Sequence, residues 1–267
     1  QGVLPLNLLL VTDPDEMVSN IMADEPLTLQ PDEKAQTAAQ AFERYDLVSA
    51  PVVDAEGKLV GRVTVNAVVD YIRESSETEQ LSRAGLREGE DIFASVWDSV
   101  KNRWSWLAIN LITAFIASRV IGAFEGSIEK LVALAALMPI VAGIGGNSGN
   151  QTITMIVRAL ALGQVQQESA RVLLRKELGV AMVNGLIWGS LLGFVAWWLY
   201  RSVALGAVMT AAMMLNLIVA ATVGVAVPLL RQRLGYDPAI GSSVLITAVT
   251  DSGGFFIFLG LATLFLL

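Results

Sequence analysis

The chain has 267 residues, with neither cysteine nor histidine, and is 54% hydrophobic against 16% charged. A soluble domain carries about 25% charged residues, and without thiols or imidazoles the chain has no disulfide framework, thiolate chemistry, Ser-His or Cys-His catalysis or imidazole metal ligand. The charge is also divided. Residues 1–90 hold 17 acids and 7 bases (net −10), and residues 91–267 hold 8 acids and 11 bases (net +3), which together give the overall −7. An acidic first part argues against nucleic-acid binding, which needs a basic face. The chain has no GxxxxGK[ST] phosphate loop, and residues 1–10 lack the basic start of a signal peptide.

In chain order, residues 31–45 have helical spacing, with Ala35, Ala38, Ala39 and Phe42 on one face. Residues 50–53 and 59–65 read as strands, joined by a turn at 54–57 in which Gly57 tolerates positive φ. A further helix is predicted over 65–72. The stretch that follows, from Glu74, is polar and reads as irregular or weakly helical. Residues 92–104 are amphipathic, and Trp97, Trp104 and Trp106 suit the depth of lipid headgroups.

Five segments then reach the roughly 20 apolar residues needed to cross a bilayer: 104–124, 131–157, 179–200, 203–230 and 238–267. So many in so short a chain leave too little sequence to cover them, so a polytopic membrane domain is predicted. Lys101, Arg103, Arg158, Arg171, Arg175, Lys176, Arg231 and Arg233 fall on one side of these segments. By the positive-inside rule that side is cytoplasmic, which places the N-terminal part in the cytoplasm and the C-terminus outside.

Two features carry chemistry. Asp251 lies within the last apolar segment, where a charge costs about 2.5–3.5 kcal/mol at the bilayer centre. No Lys or Arg is read at comparable depth to pair with it. Ser243, Thr247 and Asp251 recur every four residues along that segment. The second feature is the run from Pro139 to Thr152 in the second segment, rich in glycine and carrying the amides of Asn147 and Asn150. Glycine costs about 1 kcal/mol relative to alanine inside a helix. The run therefore predicts broken helix, with backbone carbonyls and amide oxygens offered to a cation. The donors are all oxygen, which suits hard cations. A single carboxylate per chain, doubled across a two-fold axis, suits hydrated Mg²⁺, which keeps its waters.

GIGGNSGNQTIT at 143–154 and GYDPAIGSSVLITAVTDSGGFFIF at 235–258, preceded by a CBS-like module at about 18–72, resemble the MgtE family of Mg²⁺ channels and transporters. The resemblance implies a polytopic α-helical membrane protein with five transmembrane helices per subunit and a small cytoplasmic α/β CBS module. It divides the chain into a CBS region (1–73, the tail of one module plus a second), a connecting or plug segment (74–103) and a pore domain (104–267). It implies a homodimer in a bacterial-type inner membrane, with a pore on the dimer axis. In that pore Asp251, Thr247, Gly143, Gly146, Asn150 and Asp237 serve the ion, and Thr154, Ser243 and Asn147 line the path. The plug helix would be about 91–103, with Asp91, Trp97 and Asp98 in gating. Mg²⁺ would enter down its electrochemical gradient and, from inside, bind the acidic cytoplasmic domains and close the pore. The resemblance also implies that the family's N-terminal acidic domain and most of the first CBS module are missing here. An adenosine nucleotide is a further CBS ligand of the family, and no residue here decides it. No enzymatic activity is expected. The alternatives are a broader Co²⁺, Ni²⁺ or Mn²⁺ transporter, an intramembrane aspartyl protease suggested by Thr250-Asp251-Ser252-Gly253, and a CBS sensor without transport.

Overall fold

The computed structural model describes residues 2–4, 6–22, 26–83, 85–86, 93–161, 170–239 and 241–267. The chain divides into two compact units, Gln1–Thr78 and Glu79–Leu267.

The first unit opens with short helices α1 (Leu6–Val11) and α2 (Val18–Ile21), then α3 (Ala35–Tyr45). The antiparallel pair β1 (Ser49–Val53) and β2 (Leu59–Thr64) follows, in the register Ala50↔Val63, with an irregularity between Val52 and Val53. Leu29 adds a parallel bridge to Val52. The turn forms as its sequence predicts: Gly57 has φ +75°, its N–H donates to the Asp54 carbonyl, and the Lys58 N–H donates to Asp54 Oδ1 at 2.7 Å. Leu29, Ala39, Phe42, Ala50 and Val68 form the core, so one face of α3 and of the sheet is buried with the start of α4 (Val65–Arg83). Of the two readings of the stretch after Glu74, irregular or weakly helical, the structure shows the helical one. Glu74, Ser75, Ser76, Glu77 and Thr78 continue α4 without a break, because none of them is a glycine or proline that would end it.

In the second unit, α5 (Val96–Ala123) is a single helix. The amphipathic stretch and the first apolar segment are therefore continuous through Arg103 and Trp104. Ser95 caps it: the Asp98 N–H donates to Ser95 Oγ, and Ser95 Oγ donates to Asp98 Oδ2 at 2.6 Å. The short α6 (Glu125–Lys130) leads into α7 (Ala133–Ala161), followed by α8 (Ala170–Tyr200), α9 (Val203–Arg233) and α10 (Ser242–Leu266). α9 packs against α7, α8 and α10, while α5 packs on α10. Toward one end, Leu134, Met138, Val141, Met209, Phe258 and Leu259 form the largest buried cluster. Phe115, Leu111, Leu186 and Trp188 lie exposed on the outer faces of α5 and α8, as lipid-facing side chains do.

Three expectations change. First, α5, α8, α9 and α10 are the helices long and apolar enough to cross a membrane, four among the described residues. α7 has the length, but Asn147, Ser148, Asn150, Gln151 and Thr152 dilute its apolar character. Second, the glycine run does not break the helix: α7 is continuous α-helix through Pro139 and all its glycines. Tight packing at Gly145, Gly146 and Gly149 compensates their weak propensity. Third, Arg158, Arg171, Arg175 and Lys176, read as lying between the second and third segments, lie inside helices: Arg158 in α7 and the other three in α8.

Candidate ion-binding face on α7 and α10

α7 and α10 lie side by side, and small residues let them. A Cβ at Gly149 would meet the Ile246 side chain at 2.5 Å, and one at Gly146 would lie 3.5 Å from Thr250 Oγ1. Thr250 is fully buried, and its hydroxyl donates to the Ile246 carbonyl at 2.8 Å. One turn further along, Ser243 Oγ donates to Asn150 Oδ1 at 2.8 Å, joining the two helices directly.

The structure brings several sequence-predicted residues to this seam. Asn150, Ser243 and Thr247 are half-buried along it. The Thr247 hydroxyl donates to the Ser243 carbonyl at 3.0 Å, so it is tied to its own helix. Asp251 follows Thr247 by one helical turn and is half-buried. Its carboxylate has no hydrogen bond or ion pair among the described residues. Gly143, Asn147 and Thr154 form an exposed stripe on α7, and a Cβ at Gly143 would meet nothing within 4 Å. Gly146 differs from them: it is buried and faces α10.

Other predicted residues stand apart. Asp237 is exposed in the turn before α10; its Oδ1 accepts from the Ala239 N–H at 2.8 Å, and its carbonyl accepts from Arg231 Nε at 2.9 Å. α10 starts at Ser242, nine residues before Asp251 (251 − 242), so Asp251 is about 14 Å along the helix axis from that end. Trp97 is exposed, and Asp98 serves the α5 cap. Asp91 lies outside the described residues.

Two polar residues that the sequence reading did not single out are central. Asn216 of α9 is fully buried; its Nδ2 donates to the Val141 carbonyl of α7 at 2.9 Å, while its Oδ1 has no partner among the described residues. Glu177 of α8 is 4% exposed and accepts from Thr152 Oγ1 of α7 at 3.0 Å. A pattern in the sequence does point to Glu177. It heads the buried series Ala181, Gly185, Gly189 and Gly193, four residues apart, through which α8 packs on α9.

Comparison with known proteins agrees with these features. Residues 138–261 match the family model described as MgtE, divalent cation transporter, and residues 18–74 match the CBS domain model. The chain is 35% identical over 269 residues to the "Magnesium transporter MgtE" of Thermus thermophilus, with 100% of this chain and 59% of that protein covered. It is 30% identical to the protein of the same name from Bacillus subtilis, covering 99% of this chain and 59% of that one. For the Enterococcus faecalis protein of that name the figures are 26% identity, 99% and 58%. The chain thus spans about three fifths of the length of these relatives. The matched region holds all of α7 from Met138 on and the seam with α10, so residues 138–261 carry a domain of the MgtE type, with a CBS domain ahead of it at residues 18–74.

Proposed function

We propose that the chain carries Mg²⁺ through the membrane as a homodimer, along a path formed by α7 and α10 of both copies, with Asp251 as the carboxylate that holds the ion. The observation that carries this reading is Asp251 itself. It is half-buried in an apolar helix and has no hydrogen-bonding or ionic partner among the described residues, next to a seam of hydroxyl and amide oxygens. A carboxylate in that setting needs a cation or a partner. Two copies facing each other would supply two carboxylates, the number that a water-retaining Mg²⁺ accepts. The relatives named as magnesium transporters support the choice of ion.

In this reading α7 is a fifth span. Its polar residues are admissible at depth because they face a wet path and protein instead of lipid. The exposed stripe of Gly143, Asn147 and Thr154 lies toward the second copy and the path. The cytoplasmic side is the one that carries Arg158, Arg171, Arg175, Arg231 and Arg233, and the flow is inward, down the electrochemical gradient. The −10 charge of residues 1–90 suits closure by Mg²⁺ from inside, since divalent ions relieve the mutual repulsion of acids.

The test is Mg²⁺ uptake by liposomes containing the full chain, parent beside Asp251→Asn, with Ca²⁺ and Co²⁺ as competitors. Uptake that needs Asp251 and resists Ca²⁺ supports the reading. Equal uptake by a folded Asp251→Asn protein removes Asp251 from the path. Equal competition by Co²⁺ favours the broader divalent transporter.

A further inference from the structure

Between α7 and α8, over Ala221 of α9, lies a cavity of about 710 Å³. A groove on the outside of a membrane helix bundle is ordinarily lined by apolar side chains. This one has apolar lining too, from Met155 and Val180, but it also offers Ser148, Gln151 and Thr152 of α7 with Glu177 and Asn184 of α8, and it shares Asn147, Asn150 and Thr154 with the proposed path. Glu177 is the single acid among its described lining residues. Its burial at 4% exposure is out of proportion to its compensation. Oε2 accepts one neutral hydrogen bond, from Thr152 at 3.0 Å. Oε1 has Lys176 Nζ at 3.8 Å, on a side chain that is 64% exposed. An ion pair so long and so open to solvent contributes little, whereas a buried carboxylate requires a full set of partners.

From this we infer that the α7–α8 cavity is a second cation site, centred on Glu177 and adjoining the proposed path at Asn147, Asn150 and Thr154, in which Glu177 attracts a hydrated divalent cation and the amide and hydroxyl oxygens around it bond to the ion's water shell. Polar groups that offer only oxygen donors and amides suit hard cations. One carboxylate without a cage of further acids suits an ion that keeps its waters. Six waters at about 30 Å³ each occupy about 180 Å³, well within the cavity. The choice of a divalent cation as ligand rests on the transport reading; the site itself rests on the cavity and the under-compensated carboxylate. The Thr152–Glu177 bond gives the site a mechanical consequence. Any ion that pulls on Glu177 also pulls on α7, two residues from Asn150 and its bond to Ser243.

Because the chain has no cysteine, one engineered thiol reports on the cavity without background. Val180→Cys places it on the lining, where Val180 is 45% exposed, and Val203→Cys places a control at the far end of α8, at the start of α9. The reaction with a cationic methanethiosulfonate is followed in detergent with and without Mg²⁺. With Mg²⁺ at ten times its dissociation constant, labelling of Val180→Cys is expected to slow by about tenfold, in proportion to the fraction of empty sites, with Val203→Cys unchanged. Adding Glu177→Gln, which keeps an oxygen for Thr152 but loses the charge, is expected to abolish the protection. Protection that survives Glu177→Gln overturns the inference and leaves Glu177 as a tether for α7. Absence of Mg²⁺ protection at Val180→Cys in the parent background overturns it whether or not Glu177→Gln folds, as does equal slowing at Val203→Cys. The transport reading fails independently, through uptake that does not need Asp251. Adding Asp251→Asn to the Val180→Cys protein is expected to leave the protection intact, and its loss there would merge the two sites into one.

Discussion

The side-chain amide of Asn216 on α9 donates to the carbonyl of Val141 on α7 at 2.9 Å, at the point where Gly145 of α7 and Gly254 of α10 both abut the same side chain. Three helices therefore converge on one buried amide. A Cβ at Gly254 would stand 2.7 Å from Asn216 Nδ2, and a Cβ at Gly145 would collide with the same atom. The glycines that weaken α7 and α10 as helices are what allow them to close around α9.

Gly145→Ala and Gly254→Ala are each expected to destabilise the protein by about 1–3 kcal/mol, the usual cost of overpacking. Asn216→Ala removes a hydrogen bond and leaves a void. Asn216→Leu fills the void and also removes the unpaired Oδ1. Both variants lose the amide, so Asn216→Leu is expected to cost less than Asn216→Ala because it leaves less of a void. Thermal unfolding in detergent ranks the four variants. Asn216→Leu less stable than Asn216→Ala would show that a branched side chain does not fit between Gly145 and Gly254.

Gly143→Ala is expected to behave differently from Gly145→Ala. A methyl group at 143 meets nothing within 4 Å in the single chain, so stability should hold or rise by up to about 1 kcal/mol, the helix-propensity gain of alanine over glycine. If Gly143 lines the proposed path, flux falls while stability holds. A variant with normal flux and normal stability would take Gly143 off the path.

Ser243→Ala breaks the 2.8 Å bond to Asn150 that links α10 and α7. Hydrogen bonds between membrane helices average about 0.6 kcal/mol and reach about 1.7. A small loss of stability is expected, with a larger change in flux, because Asn150 loses the partner that orients its amide. A melting shift with unaltered flux would make this contact structural alone.

Ser95→Ala removes the cap of α5, and Asp98→Asn weakens its reciprocal bond. The loss of a cap costs about 0.5–2 kcal/mol. Both variants should loosen the first turn of α5, seen as faster amide exchange at residues 96–99. If Asp98→Asn changes the Mg²⁺ sensitivity of flux while Ser95→Ala does not, Asp98 has a gating role beyond its cap.

Much of the fold was legible because local rules acted alone. The turn at Asp54 and Gly57 follows from glycine's freedom at positive φ and from aspartate's short acceptor side chain. The two strands and α3 follow from apolar spacing. The long apolar segments at the positions of α5, α8, α9 and α10 follow from length and hydropathy, and so did the prominence of Asp251. The sequence failed where packing overrode local preference. The run from Pro139 to Thr152 looks like a broken helix until Asn216, Ile246 and Thr250 are seen filling the spaces its glycines leave. The start of α8 was misplaced because Arg171, Arg175 and Lys176 read as a loop, which also hid Glu177.

By itself, the sequence determined the apolar helices, the division of charge between the two parts, and one uncompensated acid in the last helix. These depend on composition and short-range spacing. Only the tertiary structure decided which polar groups meet: Asn150 with Ser243, Asn216 with Val141, and Glu177 with Thr152. Those partners lie 93, 75 and 25 residues apart. No local propensity encodes such a distance. It is set by how closely the helices approach, and that depends on the glycines facing each contact.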